Sequence, residues 1–203
     1  MNDFVQELTA RVPKLAACAN DIRKAFDVLV ECYRGGGKVL ACGNGGSAAD
    51  SEHIVGELLK SFRVRRPVPA DVADKLPPEL AEKLEGALPA VSLVSMSGIT
   101  TAFANDVAWE TAFAQQVLGL GCRGDVLVAL STSGNSANCV AAAQVAKAKG
   151  MKVVSLTGAT GGRLAALADV AIRVPETETY LVQELHLPVY HALCAAIEEA
   201  MYM

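Results

Sequence analysis

Three histidines occur in the 203 residues, and one of them, His53, stands four positions before Glu57. On a helix this spacing sets both side chains on one face, with Cβ atoms about 6 Å apart. An imidazole and a carboxylate so placed can share a metal ion or act on one substrate. The same spacing also suits a solvated ion pair, so the pair alone does not define a site. Two other stretches offer a different chemistry. Gly43–Asn44–Gly45–Gly46–Ser47 and Ser131–Thr132–Ser133–Gly134–Asn135–Ser136 mix glycines with hydroxyls, and each runs into an Ala-rich stretch that reads as helix. The free N–H groups of a helix N-terminus carry partial positive charge, and Ser and Thr hydroxyls add neutral donors. Together they can hold a phosphate dianion without a lysine. The alternative for Ser131–Ser136 is a polar loop with a serine cap, and for Gly43–Ser47 a tight turn into a helix; two such loops on different strand ends weigh against both. Neither matches the GxGxxG dinucleotide fingerprint or the Gly-Lys-Ser/Thr ending of a P-loop.

Gln183 and His191 lie eight apart on the last helical stretch. Eight residues correspond to about 12 Å of rise and about 80° of rotation. The two side chains therefore do not easily reach one ion, and a shared site would draw them from different subunits. His186 reads as a core histidine.

The elements that position these groups follow from periodicity. Phe4, Leu8, Val12, Leu15, Ile22, Phe26, Leu29 and Val30 recur at helical spacing, so residues 3–34 form helix, broken or kinked at Pro13 and ended by Gly35–Gly36–Gly37. Five short apolar runs read as buried strands: 38–42, 90–95, 125–130, 152–156 and 169–174. Ala-rich helices separate most of them, which predicts a parallel sheet covered on both faces. The helices after the two loops are expected at about 48–62 and up to about Lys149. Residues 179–203 read as one long helix kinked at Pro188. Five of the eight prolines crowd into residues 63–90, an excursion from the sheet with room for one short acidic helix over 78–86. It reads equally as a lid or interface element and as a solvated loop.

Composition narrows the function classes. Hydrophobic residues make up 52%, enough for a buried sheet, and the length suits one domain. Net charge is −4, and the only basic cluster is Arg63–Arg65–Arg66, which argues against a nucleic-acid face. The six cysteines show no CxxC spacing; with no signal peptide evident, they are expected to be reduced in a cytoplasmic protein. No apolar run approaches the roughly 18–20 residues that span a bilayer.

Taken in order, these residues resemble the phosphoheptose isomerases, sugar isomerase (SIS) domain proteins that interconvert sedoheptulose 7-phosphate and a heptose 7-phosphate. The resemblance is carried by Gly43–Ser47, His53, Glu57, Asn105–Asp106, Ser131–Ser136, Thr157–Gly158, Gly161–Gly162, Ile172–Pro175, Gln183–Glu184 and His191. It implies a single SIS domain over 1–203, α/β, with a five-stranded parallel flavodoxin-like sheet, helices on both faces, an N-terminal helical segment (1–34) and an insertion (63–90). It implies Glu57 as catalytic base and His191 as acid. Zinc would be held by His53, Glu57, Gln183 and His191, and no nucleotide cofactor is implied. Substrate would meet Asn44, Gly45, Gly46, Ser47, Asn105, Asp106, Ser131, Thr132, Ser133, Ser136 and Gln183. A homotetramer with active sites between subunits is implied as well. The insertion is the departure from compact members of the family and leaves the physiological sugar open. A non-catalytic SIS protein, a regulator or a partner of the replication initiator, is the competing class; such relatives lose the carboxylate and terminal histidine that this chain keeps.

Overall fold

The computed structural model describes residues 3–203. Helix α1 (Phe4–Arg11) is capped by Asp3, whose carboxylate accepts from the N–H groups of Val5 and Gln6. Pro13 then breaks the N-terminal segment as its fixed φ and missing N–H require, and a 3-10 stretch (Pro13–Cys18) joins α1 to α2 (Ala19–Arg34). The chain continues through β1 (Val39–Cys42), α3 (Gly46–Leu59), α4 (Ala70–Ala73), α5 (Pro78–Ala81), β2 (Ala90–Ser92), α6 (Ser97–Asp106) and α7 (Ala112–Leu120). It ends with β3 (Val126–Leu130), α8 (Ala137–Ala148), β4 (Lys152–Thr157), α9 (Gly162–Leu167), β5 (Val170–Arg173) and α10 (Thr179–Tyr202).

The five strands form one all-parallel sheet in the order β2-β1-β3-β4-β5. Val39, Leu40, Ala41 and Cys42 pair with Val126 to Ala129 of β3. Connections therefore leave β1 toward one edge through β2, return to its other side with β3, and open a crevice between the two strand tips. Both faces of the sheet are covered. Val39, Ala41, Val126, Val128 and Leu130 pack with Ile22, Ile54, Val189 and Leu193, so α2, α3 and α10 lie on one face. Leu40, Cys42, Leu127 and Ala129 pack with Phe113, Val140 and Leu164, so α7, α8 and α9 lie on the other. No helix among the described residues is long and apolar enough to cross a membrane.

Several sequence expectations move. The strand expected at 90–95 keeps only three paired residues, and α3 starts at Gly46, two residues early, because Gly45 at φ +57 turns the chain directly into the helix. The acidic helix expected over 78–86 is a single turn, preceded by another at Ala70–Ala73. The base of the excursion is not a loose loop. Arg66 is fully buried, Gly86 N–H donates to the Arg66 carbonyl at 3.0 Å and Leu88 N–H to that of Leu58 at 2.9 Å. Pro188 lies inside α10, as expected.

Candidate active site

The Gly43–Ser47 loop at the tip of β1 and the Ser131–Ser136 loop at the tip of β3 stand side by side because their strands are neighbours. A reciprocal amide pair fastens them: Asn44 Nδ2 donates to Asn138 Oδ1 at 2.9 Å and Asn138 Nδ2 to Asn44 Oδ1 at 2.8 Å. Ser136 opens α8 without capping it; its hydroxyl is 2.9 Å from that of Ser131. The serine-cap alternative for this loop is thus set aside; Cys139 N–H donates to the Asn138 side chain at 2.9 Å, and the N–H groups of Ala137 and Asn138 open the helix. Ser131 is buried, Thr132 half-buried and Ser133 exposed. Ser47 is buried under the first loop, its N–H donating to the Asn44 carbonyl.

The loop after β4 buttresses the Ser131–Ser136 loop. Gly158 N–H donates to the Thr132 carbonyl and Leu164 N–H to that of Gly134, both at 2.9 Å. Gly134 sits at φ +70, and a Cβ there would stand 2.0 Å from the Gly161 carbonyl oxygen. The two backbones thus touch where no side chain fits.

His53 and Glu57 occupy one face of α3, and α10 brings His191 to them within a single chain. His53 Nε2 lies 3.1 Å from Glu57 Oε1 and 3.4 Å from His191 Nε2, and the three ligand-capable atoms lie within 4.8 Å of one another. The other ring nitrogen of His53 is 3.0 Å from the Tyr190 hydroxyl, which donates to Asp50 Oδ1 at 3.2 Å. With the Tyr190 proton directed to Asp50, His53 Nδ1 is the donor and its Nε2 lone pair faces Glu57 and His191. Burial pushes the Asp50 carboxyl up while the Tyr190 hydroxyl opposes it. Burial, then the neighbouring Asp50 carboxylate, push the Tyr190 hydroxyl well above its ordinary value, so it remains a donor. Burial, then His53, pull the His191 imidazole below its ordinary value against the pull of Glu57. Glu57 Oε2 is buried with no hydrogen-bond partner.

The donor set fits a zinc ion. Tetrahedral ligands about 2.0–2.1 Å from zinc stand about 3.3 Å from each other, which matches the 3.1 and 3.4 Å separations here. Two imidazole nitrogens and a carboxylate oxygen are also the ligand types zinc takes.

Gln183 occupies a different point. A Cβ on Gly46 would stand 2.6 Å from its Nε2, so its amide rests on the first loop while His191, two turns on, faces His53. This is the separation that the helix rise predicts. Asn105 and Asp106 end α6 on the surface, with Asn105 Nδ2 donating to Asp106 Oδ1 at 2.8 Å. His186 is fully buried, as expected of a core histidine. Sequence reasoning missed Asp50 and Tyr190. Asp50 was legible as the i−3 member of the Asp50–His53–Glu57 stripe on α3, whereas nothing marked Tyr190, which neighbours His191 in sequence but packs beneath His53.

The sheet order and paired loops are those of an SIS domain, and the SIS-domain family model matches residues 3–87 and 79–158. A phosphoheptose isomerase from Shewanella sp. (strain ANA-3) is 38% identical over 204 residues, covering 99% of this chain and 94% of the relative. The solved phosphoheptose isomerase of Neisseria gonorrhoeae superposes with a TM-score of 0.78 at 34% identity, over 97% of this chain and 95% of that one. That of Francisella tularensis gives 0.79 at 32%, over 94% and 92%. The chain belongs to the phosphoheptose isomerase family of SIS-domain proteins.

Proposed function

We propose that the chain is an aldose–ketose isomerase acting on a sugar phosphate, most simply sedoheptulose 7-phosphate. The observation that carries this is the meeting of Glu57, His53 and His191 on α3 and α10, where α3 starts from one of two neighbouring hydroxyl- and glycine-rich strand tips. The phosphate is taken by the Ser131, Thr132, Ser133 and Ser136 hydroxyls and the N-terminus of α8. Asn44, Gly45, Gly46, Ser47 and Gln183 line the sugar chain, and Asn105 and Asp106 join from α6.

Isomerisation moves a proton between adjacent carbons through an enediol. The Glu57 carboxylate takes the proton from the carbon beside the carbonyl; the C–H pair becomes the C=C bond, and the carbonyl oxygen receives a proton from His191. Return of the Glu57 proton to the other carbon, with transfer of the neighbouring hydroxyl proton to His191, completes the exchange and restores both groups. His53, Glu57 and His191 would hold zinc, which supplies a positive charge against the developing enediolate. Glu57 would then both hold the ion and act as base. Gln183, seated on Gly46, would complete the zinc site only from a second subunit, which fits a homotetramer with shared sites. The exposed Val107, Trp109 and Leu118 offer apolar contact surface for such an assembly. Six unpaired cysteines suit a cytoplasmic setting.

The test is an NMR time course on a panel of ketose and aldose phosphates, with and without zinc. Interconversion of a C7 pair supports the reading; a panel that binds but never turns over leaves a binding protein instead.

A further inference from the structure

Arg66 and Glu198 form an ion pair with neither side chain exposed, Arg66 Nε donating to Glu198 Oε1 at 2.7 Å. The rest of the guanidinium is directed at the end of α3. Nη2 donates to the Glu57 carbonyl at 2.9 Å and Nη1 to that of Leu58. These are two of the carbonyls that a helix C-terminus leaves without partners, and Lys60 closes α3 in an extended conformation. A cation there also complements the helix dipole. Glu198 takes three further donors: Phe62 N–H at 2.8 Å, Arg63 N–H at 2.7 Å and Val64 N–H at 3.0 Å. Burial would raise its carboxyl, but these bonds and Arg66 outweigh it and hold the group below its ordinary value. Tyr202 lies under the guanidinium, 5.5 Å from ring centroid to Cζ.

Glu57 belongs to the last turn of α3, where helices fray. Glu198 belongs to α10, seven residues after His191 and on the same side of the helix. One buried pair thus fastens the terminal turn that carries Glu57 to the helix that carries His191. A buried ion pair contributes little net stability compared with apolar residues of similar volume. What it adds here is direction: three donors of one rigid fork set the backbone of residue 57 relative to α10.

We propose that Arg66, anchored by Glu198, is a positioning residue that holds the Glu57 carboxylate in register with His191. This rests on the isomerase reading above, with Glu57 as base. The test uses Arg66→Lys and the paired Arg66→Met/Glu198→Leu variant, each assayed with saturating sedoheptulose 7-phosphate at rates expressed per folded protein. Lysine keeps the charge but reaches only one or two of the three acceptors. Both variants are expected to turn over at least about 10-fold more slowly than the parent, while sedoheptulose 7-phosphate binds with an affinity unchanged within about 2-fold. The paired variant leaves no lone buried charge and is expected to melt close to the parent. A parental turnover rate in folded Arg66→Lys overturns the proposal and leaves Arg66 a helix cap. That variant decides the matter even if the paired one does not fold. Full turnover by Glu57→Gln in the otherwise unchanged chain instead removes Glu57 as base, and absence of turnover in the parent sinks the isomerase reading; both are separate outcomes.

Discussion

His53 Nε2 and His191 Nε2 stand 3.4 Å apart, although 138 residues separate them in the chain. At that distance both nitrogens cannot carry protons toward each other, so at most one is a donor, and a cation held between them takes a lone pair from each. The pair is therefore expected to bind zinc in the purified protein. His191→Ala should weaken zinc binding, followed by competition with a fluorescent chelator, more than any change to a residue behind the ligands. Equal affinity in parent and variant would remove His191 from the ligand set.

Glu57→Gln keeps the shape of the side chain and removes the base. Turnover should fall below detection while sedoheptulose 7-phosphate still binds by calorimetry, because the phosphate contacts lie on other elements. Residual turnover near the parental rate would assign the base elsewhere.

Tyr190→Phe deletes the hydroxyl that links His53 Nδ1 to Asp50. Removing a partner of this kind from a ligating histidine typically weakens metal binding by roughly 10-fold or more. Chelator competition reads that loss directly, and it should appear without a change in phosphate affinity. No change in zinc affinity would mean that the hydroxyl does not orient His53.

How much of this was legible in the sequence follows the range of each signal. The strands, the break at Pro13 and the two loops rest on periodicity and turn chemistry within a few residues, and they stand where expected. The five-stranded flavodoxin-like sheet came from the resemblance, and the observed strand order, with Leu40 of β1 paired to Leu127 of β3, bears it out. The Arg66–Glu198 pair spans 132 positions and left no local pattern. On composition Arg66 belonged to a small basic cluster; the fold instead buries it, because α3 ends beside a carboxylate on α10. The distance between Gln183 and His191 was legible, since helix rise alone fixes it.

Gly134→Ala tests the contact between the phosphate loop and the loop after β4. The left-handed backbone alone costs about 1–2 kcal/mol for a residue with a Cβ, and the 2.0 Å approach to the Gly161 carbonyl adds to it. A lower melting temperature together with weaker binding of inorganic phosphate is the expected result. A variant as stable as the parent would show that the two loops separate freely.

Acid stability turns on His186. Burial pushes its imidazole down from 6.5 to about 4, with the Thr157 backbone beside it opposing, and neither ring nitrogen has a hydrogen-bond partner in the buried site. The unfolded chain therefore binds a proton that the folded one refuses, so stability is intact above about 6.5 and drains as pH falls toward 4. At roughly 1.4 kcal/mol per pKa unit, the loss approaches about 3 kcal/mol. Denaturant melts of His186→Leu across that window should show a shallower slope than the parent; equal slopes would place the effect on other groups.

Because Gly86 and Leu88 are stitched to Arg66 and Leu58, the stretch running from Pro67 to Glu85 begins and ends at almost the same place. Closing such a span costs only slowly more as it lengthens. Evolution can therefore trim, extend or restyle this stretch without disturbing α3 and α10, and a protein engineer can graft a reporter peptide or a recognition tag at that point.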